Sequence, residues 1–339
     1  MRRHRVLIVL PESGVAPEDA ADASDKDFEK FKAVYDVMTA LEDLGHEHRQ
    51  LGLSDDAAPL RSAIAEWKPT IVFNLLDDFR GYTFYDQHLT SFLQLMRIPF
   101  TGCNPRGLVL ASDKVLAKKV VLYHRIRTPR FQVFPRFRKV HRASKLRFPL
   151  IVKVHLEEAS SGIAQTSVVH DDEQLAERVR FVHESFETAA LVEEYIDGRE
   201  LNVSVIGNQR LQVLPVWELF MDKLPAGVPR VATHTVKWNL DYQEKYQIRL
   251  GPARRLPADV EERIVGITRR IYRALLLSGY ARIDYRLSPE GRLYFLEANA
   301  NPDISRDEEL ASAAKSVGIS YEDLIRKIIN LGLRWSKTF

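Results

Sequence analysis

The segment that most constrains this chain is Ala281–Ile304. Two apolar-rich runs, Tyr280–Leu287 and Arg292–Ala298, flank the turn-forming residues Ser288-Pro289-Glu290-Gly291, a pattern that predicts a β-hairpin. Alternation puts Arg282, Asp284 and Arg286 on one face of the first strand and Ile283, Tyr285 and Leu287 on the other. The second run ends in Glu297, Asn299 and Asn301, again spaced by two, so antiparallel pairing brings Asp284 toward Glu297 and Asn299. Two carboxylates, an amide oxygen and a guanidinium suit a hard cation such as Mg²⁺, which takes oxygen ligands and shares its shell with substrate phosphates. Asp and Asn are poor strand formers, so their place at a strand end asks for a reason. A solvated charged face is the competing reading, because such alternation is common on strands with one wet side.

A chain of 339 residues has room for two or three compact units. Hydrophobic residues make up 45% and charged residues 28%, an ordinary globular balance, and a formal net charge of +3 does not imply nucleic acid. The basic residues around Arg125–Arg147 lack aromatic interleaving and read as a solvated face. The single cysteine, Cys103, excludes an internal disulfide and a multi-cysteine metal site; packing beside the Gly102–Pro105 turn is its expected role. Val6–Leu10 is too short for a signal sequence and no run reaches membrane-spanning length, so a cytoplasmic protein with no membrane partner is expected.

In chain order, Val6–Leu10 reads as a buried parallel strand, and Phe28, Phe31, Val34, Tyr35, Met38, Leu41 and Leu44 recur at helical spacing before Gly45. Ile71–Leu76 is a second strand and Gln87–Met96 a helix; this alternation suggests an open parallel sheet, without the glycine fingerprint of a dinucleotide site. The acidic stretch Val15–Lys26 reads as a loop or lid, and Asn104–Gly107 as a linker. Ser112 is the expected cap of a helix that carries Lys114 in its first turn, where a surface lysine is the plain alternative. Phe148–Val154 and Ala164–Val169 read as strands joined by the small-residue loop Glu157–Ile163; a lysine beside such a loop can hold phosphate, and an ordinary β-turn is the competing reading. Glu173–Glu184 is a helix, Ala190–Ile196 a strand, Glu200–Ile206 and Arg210–Val216 a hairpin, and Pro257–Leu277 and Tyr321–Leu333 are helices, with no internal repeat.

From Ile71 onward these features resemble the ATP-grasp superfamily, and within it the D-alanine–D-alanine ligase group of carboxylate–amine ligases. Ala111–Lys118 resembles the helix with a phosphate-contacting lysine, here Lys114; Phe148–Lys153 resembles the strand with the second, here Lys153; Val192–Glu200 resembles the hinge between the grasping subdomains. The resemblance implies an ATP-grasp fold of mixed α/β and α+β class, with a Rossmann-like N-terminal domain (1–105), a central subdomain (106–196) and a C-terminal subdomain with the metal site (197–339). It implies that Glu193 and the backbone of Glu194, Tyr195 and Ile196 hold adenine, with Leu296 or Phe295 packing on it, and that Glu200 accepts the ribose hydroxyls. Ser160 and Ser161 would touch phosphate; Asp241–Tyr246 resembles a substrate-proximal loop, with Lys245 on the γ-phosphate or the transferred group. Asp284, Glu297 and Asn299 would ligate two Mg²⁺ ions (Mn²⁺ being an alternative), and Arg282 would stabilise developing oxyanion charge.

The expected reaction is amide formation from a carboxylate and an amine, amino acids or peptides, through an acyl phosphate; a homodimer is a further implication. A regulatory ATP-binding module and a phosphotransferase without ligation are the competing functions. The chain departs from the ligases where they recognise amino acids. After Leu76 it reads Asp77-Asp78 rather than their His-Gly and Gly-Glu-Asp-Gly, and Glu12 is only a loose counterpart of their early glutamate. Asp303 and Arg306–Glu309 replace the glycine and serine that serve the second substrate's carboxylate. An acidic wall repels a carboxylate and favours a cation unless Arg306 intervenes. A substrate other than D-alanine is therefore expected, with true D-alanine–D-alanine synthesis as the alternative.

Overall fold

The structure, a computed structural model, describes residues 3–17, 28–155 and 164–335. The Glu157–Ile163 loop, with Ser160 and Ser161, and residues 18–26 of the acidic stretch lie outside them.

Strand β1 (Arg5–Pro11) is buried at every position from Val6 to Leu10, as a central parallel strand covered on both faces requires. It pairs in parallel with β2 (Glu47–Leu53) and β3 (Ile71–Asn74), in the order β2-β1-β3. Val6, Ile8 and Leu10 pack with Val34, Val37 and Leu41 of α1 (Lys32–Asp43). Leu7 and Val9 face the other way, toward Leu60 of α2 (Ala58–Trp67) and Leu89 and Leu93 of α3 (Asp86–Leu95). Strand β2 and helix α2 carry no clear sequence signal: β2 is an edge strand with four polar residues among its seven positions up to Leu53 and its glycine.

Two expectations about the next segment change. Asn104 starts a helix rather than a linker: its Oδ1 accepts from the N–H groups of Arg106 and Gly107, and Pro105 opens α4 (Pro105–Ser112). Ser112 ends that helix, and Asp113 caps α5 (Lys114–Tyr123), accepting from the N–H groups of Val115 and Leu116. A carboxylate one residue closer to the turn meets both orphan donors.

The second sheet has the order β4-β7-β5-β6, from β4 (Phe131–Phe134), β5 (Leu150–Val154), β6 (Val168–Val169) and β7 (Ala190–Glu194). Strand β6 is shorter than expected because Gln165–Ser167 forms a 3₁₀ turn. Helix α6 (Asp172–Ser185) covers the sheet through Leu175, Val179 and Val182.

The third sheet contains β8 (Arg199–Ile206), β9 (Gln212–Val213), β10 (Trp217–Phe220), β11 (Arg249–Pro252), β12 (Tyr280–Leu287) and β13 (Leu293–Asn299). Its order is β11-β10-β8-β12-β13, with β9 paired to β8. Helices α7 (His234–Trp238) and α8 (Leu240–Tyr246) precede β11; Asp241–Tyr246 is thus helical rather than a loop. Helix α9 (Ala258–Ala274) packs Val260, Ile264 and Ile271 against the apolar face of β12.

The last two helices, α10 (Glu309–Ser316) and α11 (Tyr321–Trp335), return to the first sheet. Leu310, Ala314, Leu324 and Ile328 share a core with Val6, Ile8 and Val34. That return sets the segment after β13 beside the loop after β3. Backbones touch at this seam: a Cβ on Gly279 (φ +72) would strike the Gly102 carbonyl, and one on Gly102 (φ +87) would strike the Asn301 side chain.

Candidate active site

Strands β12 and β13 pair in a register that sets Asp284 directly opposite Glu297 and Arg282 opposite Asn299. A register shift between Asp284 and Tyr285 breaks the ladder beside the first carboxylate. The Arg282 guanidinium donates from Nε and Nη2 to the two Asp284 oxygens (2.9 and 3.0 Å) and from Nη1 to Glu309 (2.8 Å). Lys114, in the first turn of α5, reaches Glu297 Oε2 at 3.2 Å. The two facing carboxylates are driven apart electrically. Burial raises the Asp284 pKa despite Arg282, whereas Lys114, Lys153 and Lys237 together outweigh burial and hold Glu297 well below the usual carboxylate range.

Behind this pair lies a buried ionic triad. Glu193, 1% exposed at its side chain, contacts Lys118 at 3.0 Å and Lys153 at 3.2 Å. Burial alone would raise the Glu193 pKa, but the two lysines lower it; burial lowers that of Lys118 despite Glu193. Lys118 also donates to the Leu296 carbonyl (2.7 Å) and Thr128 Oγ1 (3.1 Å), tying α5 to β13.

Two chambers open onto these groups. A cavity of about 630 Å³ extends from Asp284 and Glu297 past Asn299 to Asp77, Asp303 and Glu308. A slot of about 60 Å³ lies between Ile151, Lys153, Tyr195 and Leu296. Glu200, Lys237, Asp284 and Glu297 line both, so they mark the junction. A small slot with Ile151, Tyr195 and Leu296 in its wall, opening on a larger cavity across a junction of charged side chains, suits a ligand whose charged part lies at the junction.

Of the residues singled out from sequence, Lys153, Glu193, Glu194, Tyr195, Ile196, Glu200, Leu296, Asp284 and Glu297 line the slot, and Lys114, Arg282 and Asn299 line the cavity. Phe295 is buried in the core under α9, so of the two it is Leu296 that faces the slot. The N–H groups of Glu194 and Tyr195 already donate to the carbonyls of Arg130 and Pro149 (both 2.9 Å). Glu200 accepts from Arg286 Nη2 at 2.8 Å.

Lys245 is not brought to the site: it lies exposed on α8 with its ammonium over the Tyr246 ring. Lys237, one helix earlier, occupies the junction instead, and nothing in its local pattern marks it. Lys118 had a usable signal, since it follows Lys114 by four residues and shares its helix face. Glu12 does not line the cavity. Cys103 is fully buried and burial pushes its thiol up to about 12, as a packing role requires.

Asp284 and Glu297, paired across the hairpin, and Asn299, two residues further along β13, carry the oxygen ligands Mg²⁺ takes, although Arg282 holds both Asp284 oxygens and the Asn301 N–H donates to Asn299 Oδ1. Among the described residues no three His, Cys, Asp or Glu side chains converge as a metal cage, so a cation here would draw the rest of its shell from phosphate and water.

The model of the D-Ala–D-Ala ligase C-terminus matches residues 119–330, well over half of the chain. The chain belongs to the D-alanine–D-alanine ligase family. As a member it is a carbon–nitrogen ligase of ATP-grasp type. It is 30% identical to a D-alanine–D-alanine ligase of Desulfotalea psychrophila across 99% of this chain and 98% of that one. It is 32% identical to an uncharacterized protein of Sinorhizobium fredii across 88% of this chain and 86% of that one. The crystal structure of D-alanine–D-alanine ligase from Bacillus anthracis complexed with ATP superposes with a TM-score of 0.75 at 22% identity, covering 99% of both chains, so the ATP-grasp fold holds along the whole ligase. No helix among its described residues is long and apolar enough to cross a membrane.

Proposed function

We propose that this ligase joins a carboxylate to an amine with ATP and Mg²⁺ through an acyl phosphate, and that its substrates are not a pair of D-alanines. The observation that carries the first part is the junction. Asp284 faces Glu297 where the slot meets the cavity, with Lys114, Lys237 and Arg282 around them. In this reading adenine enters the slot against Leu296 and Tyr195, with the Ile196 N–H as its edge donor, since those of Glu194 and Tyr195 are engaged. Glu200 accepts a ribose hydroxyl, and Lys114, Lys153 and Lys237 receive the phosphates. Asp284, Glu297 and Asn299 hold Mg²⁺, which would neutralise phosphate charge.

The chemistry then balances in two steps. A carboxylate oxygen attacks the γ-phosphorus, and the bond to ADP breaks. A neutral amine attacks the acyl carbon, the carbon–oxygen bond to phosphate breaks with its electron pair leaving on phosphate, and the nitrogen gives up its proton to the departing phosphate. Arg282 offers its guanidinium to the tetrahedral oxyanion. The Glu193 side chain serves the reading indirectly, by fixing Lys118 and Lys153.

The second part rests on Arg306. Its backbone N–H donates to Asp36 and its Nη1 to Glu322 (both 2.9 Å), and its guanidinium stacks on Tyr321. It is not among the cavity's lining residues, so it leaves the wall of Asp303 and Glu308 acidic. Incubation with ATP, Mg²⁺ and paired carboxylates and amines, followed by mass spectrometry, should give ADP and an amide together. Asp284→Asn and Glu297→Gln should each lower turnover about a hundredfold or more; full turnover in Mg²⁺ by either variant would remove the assignment.

A further inference from the structure

Helix α5 and strand β5 each bring one lysine to the chambers, Lys114 and Lys153, yet the two elements sit in different hydrophobic cores. Ala117 and Val121 of α5 pack into the core of the third sheet, whereas Leu150, Val152 and Val154 of β5 pack into that of the second. Packing inside either core does not by itself set the distance between the two lysines. That distance matters for phosphate, because a hydrogen bond is lost within about an ångström of displacement.

Two polar links among the described residues cross from the α5 segment to the second sheet. The first is the buried triad: Lys118 of α5 meets Glu193, which also holds Lys153. The second lies at the other end of the helix. His155 Nε2 stands 3.0 Å from Asp113 Oδ1, the oxygen that also accepts from the Val115 and Leu116 N–H groups at the start of α5. An ionised carboxylate only accepts, so Nε2 is the donor. Asp113 is such an anion: burial works against it, but the His155 hydrogen bond and the α5 N–H groups hold its carboxyl below the ordinary value.

The two links are spaced along both elements. Asp113 and Lys118 are five residues apart, about 7.5 Å along a helix. Lys153 and His155 are two apart, about 6.6 Å along extended chain, and so lie on one side of it. A single link between two rigid elements leaves them free to pivot, and two links this far apart do not. The pivot they block would carry Lys114 away from Lys153, since Lys114 sits in the first turn of α5, beside Asp113 and far from Lys118.

We propose that His155 is a positioning residue for the nucleotide's phosphates: through Asp113 it pins the end of β5 to the first turn of α5 and so sets the span between Lys114 and Lys153. This rests on the reading of the junction as an ATP site. His155 acts there through others, because it lies outside the walls of both chambers.

Adenosine fills the slot without needing either lysine, so the effect should grow with phosphate. Calorimetry on the full chain with Mg²⁺ compares adenosine, ADP and a non-hydrolysable ATP analogue. His155→Ala should weaken ADP and the ATP analogue about tenfold and leave adenosine within about twofold. His155→Gln, whose amide N–H can reach the same acceptor, should recover most of the loss. Asp113→Ser keeps a helix cap but is too short to reach His155, so it should match His155→Ala, and the double variant should be little worse than either. Should Asp113→Ser lower the thermal transition, the two His155 variants still decide, since that side chain is partly exposed. Unchanged affinity for the ATP analogue in His155→Ala would overturn the proposal while leaving the ATP reading intact. An equal loss for adenosine, the result of a merely loosened fold, would overturn it too, as would additive losses in the double variant. A wild-type chain that binds none of the three removes the ATP reading, and the proposal with it.

Discussion

The ionic triad behind the junction allows a sharp energetic test through Glu193→Gln. The substitution keeps the side chain's shape and removes the one anion within 3.2 Å of both Lys118 and Lys153. Lys118 is fully buried, so its charge would lose its counter-ion in a place water does not reach. Breaking a buried pair from one side costs about 3–5 kcal/mol. Lys118 can limit that cost by losing its proton, since burial already lowers its pKa. The sign follows: the folded value falls below the unfolded one, so the penalty is largest at low pH and shrinks as pH rises toward the ordinary lysine value. Where the folded lysine is neutral, the penalty falls by about 1.4 kcal/mol per pH unit. Urea unfolding at pH 7, 8 and 9 would show Glu193→Gln approaching wild-type stability with rising pH. The double variant Glu193→Gln with Lys118→Met should recover much of the loss at pH 7, because it leaves no orphaned charge at that position. A single variant whose deficit is unchanged between pH 7 and 9, or a double variant less stable than the single, would refute the charge-burial reasoning.

Two further outcomes follow from the same geometry. Lys237→Ala should weaken ATP binding and turnover by tenfold or more in a coupled ADP-release assay, whereas Lys245→Ala, exposed on α8, should stay within about twofold of wild type. Gly279→Ala should lower stability by about 2 kcal/mol or more in denaturant titration, since both its positive φ and the Gly102 carbonyl oppose a side chain.

The hairpin was legible because its information is local. Period-two alternation, a Ser-Pro-Glu-Gly turn and polar residues at a strand end specify both strands and bring Asp284 near Glu297, while the register shift between Asp284 and Tyr285, which carries no local signal, sets the two opposite. The same holds for β1, where five consecutive apolar residues leave no wet face. Charge partners were not legible in this way. Glu193 reads locally as the end of an acidic strand, and only the packing of α5 against β13 delivers Lys118 to it. Lys237 and Lys245 sit on successive short helices, and tertiary packing sets Lys237 at the junction and leaves Lys245 exposed. Arg306 shows the principle most clearly. Its charge beside Asp303 and Glu308 suggests neutralisation, but the return of α10 and α11 to the first sheet offers it Asp36 and Glu322 instead. Sequence by itself determined the strongly patterned strands and helices and the oxygen-rich face of the hairpin, since these depend on neighbours along the chain. Tertiary structure decided which carboxylates remain without a cation, because charge balance depends on neighbours in space.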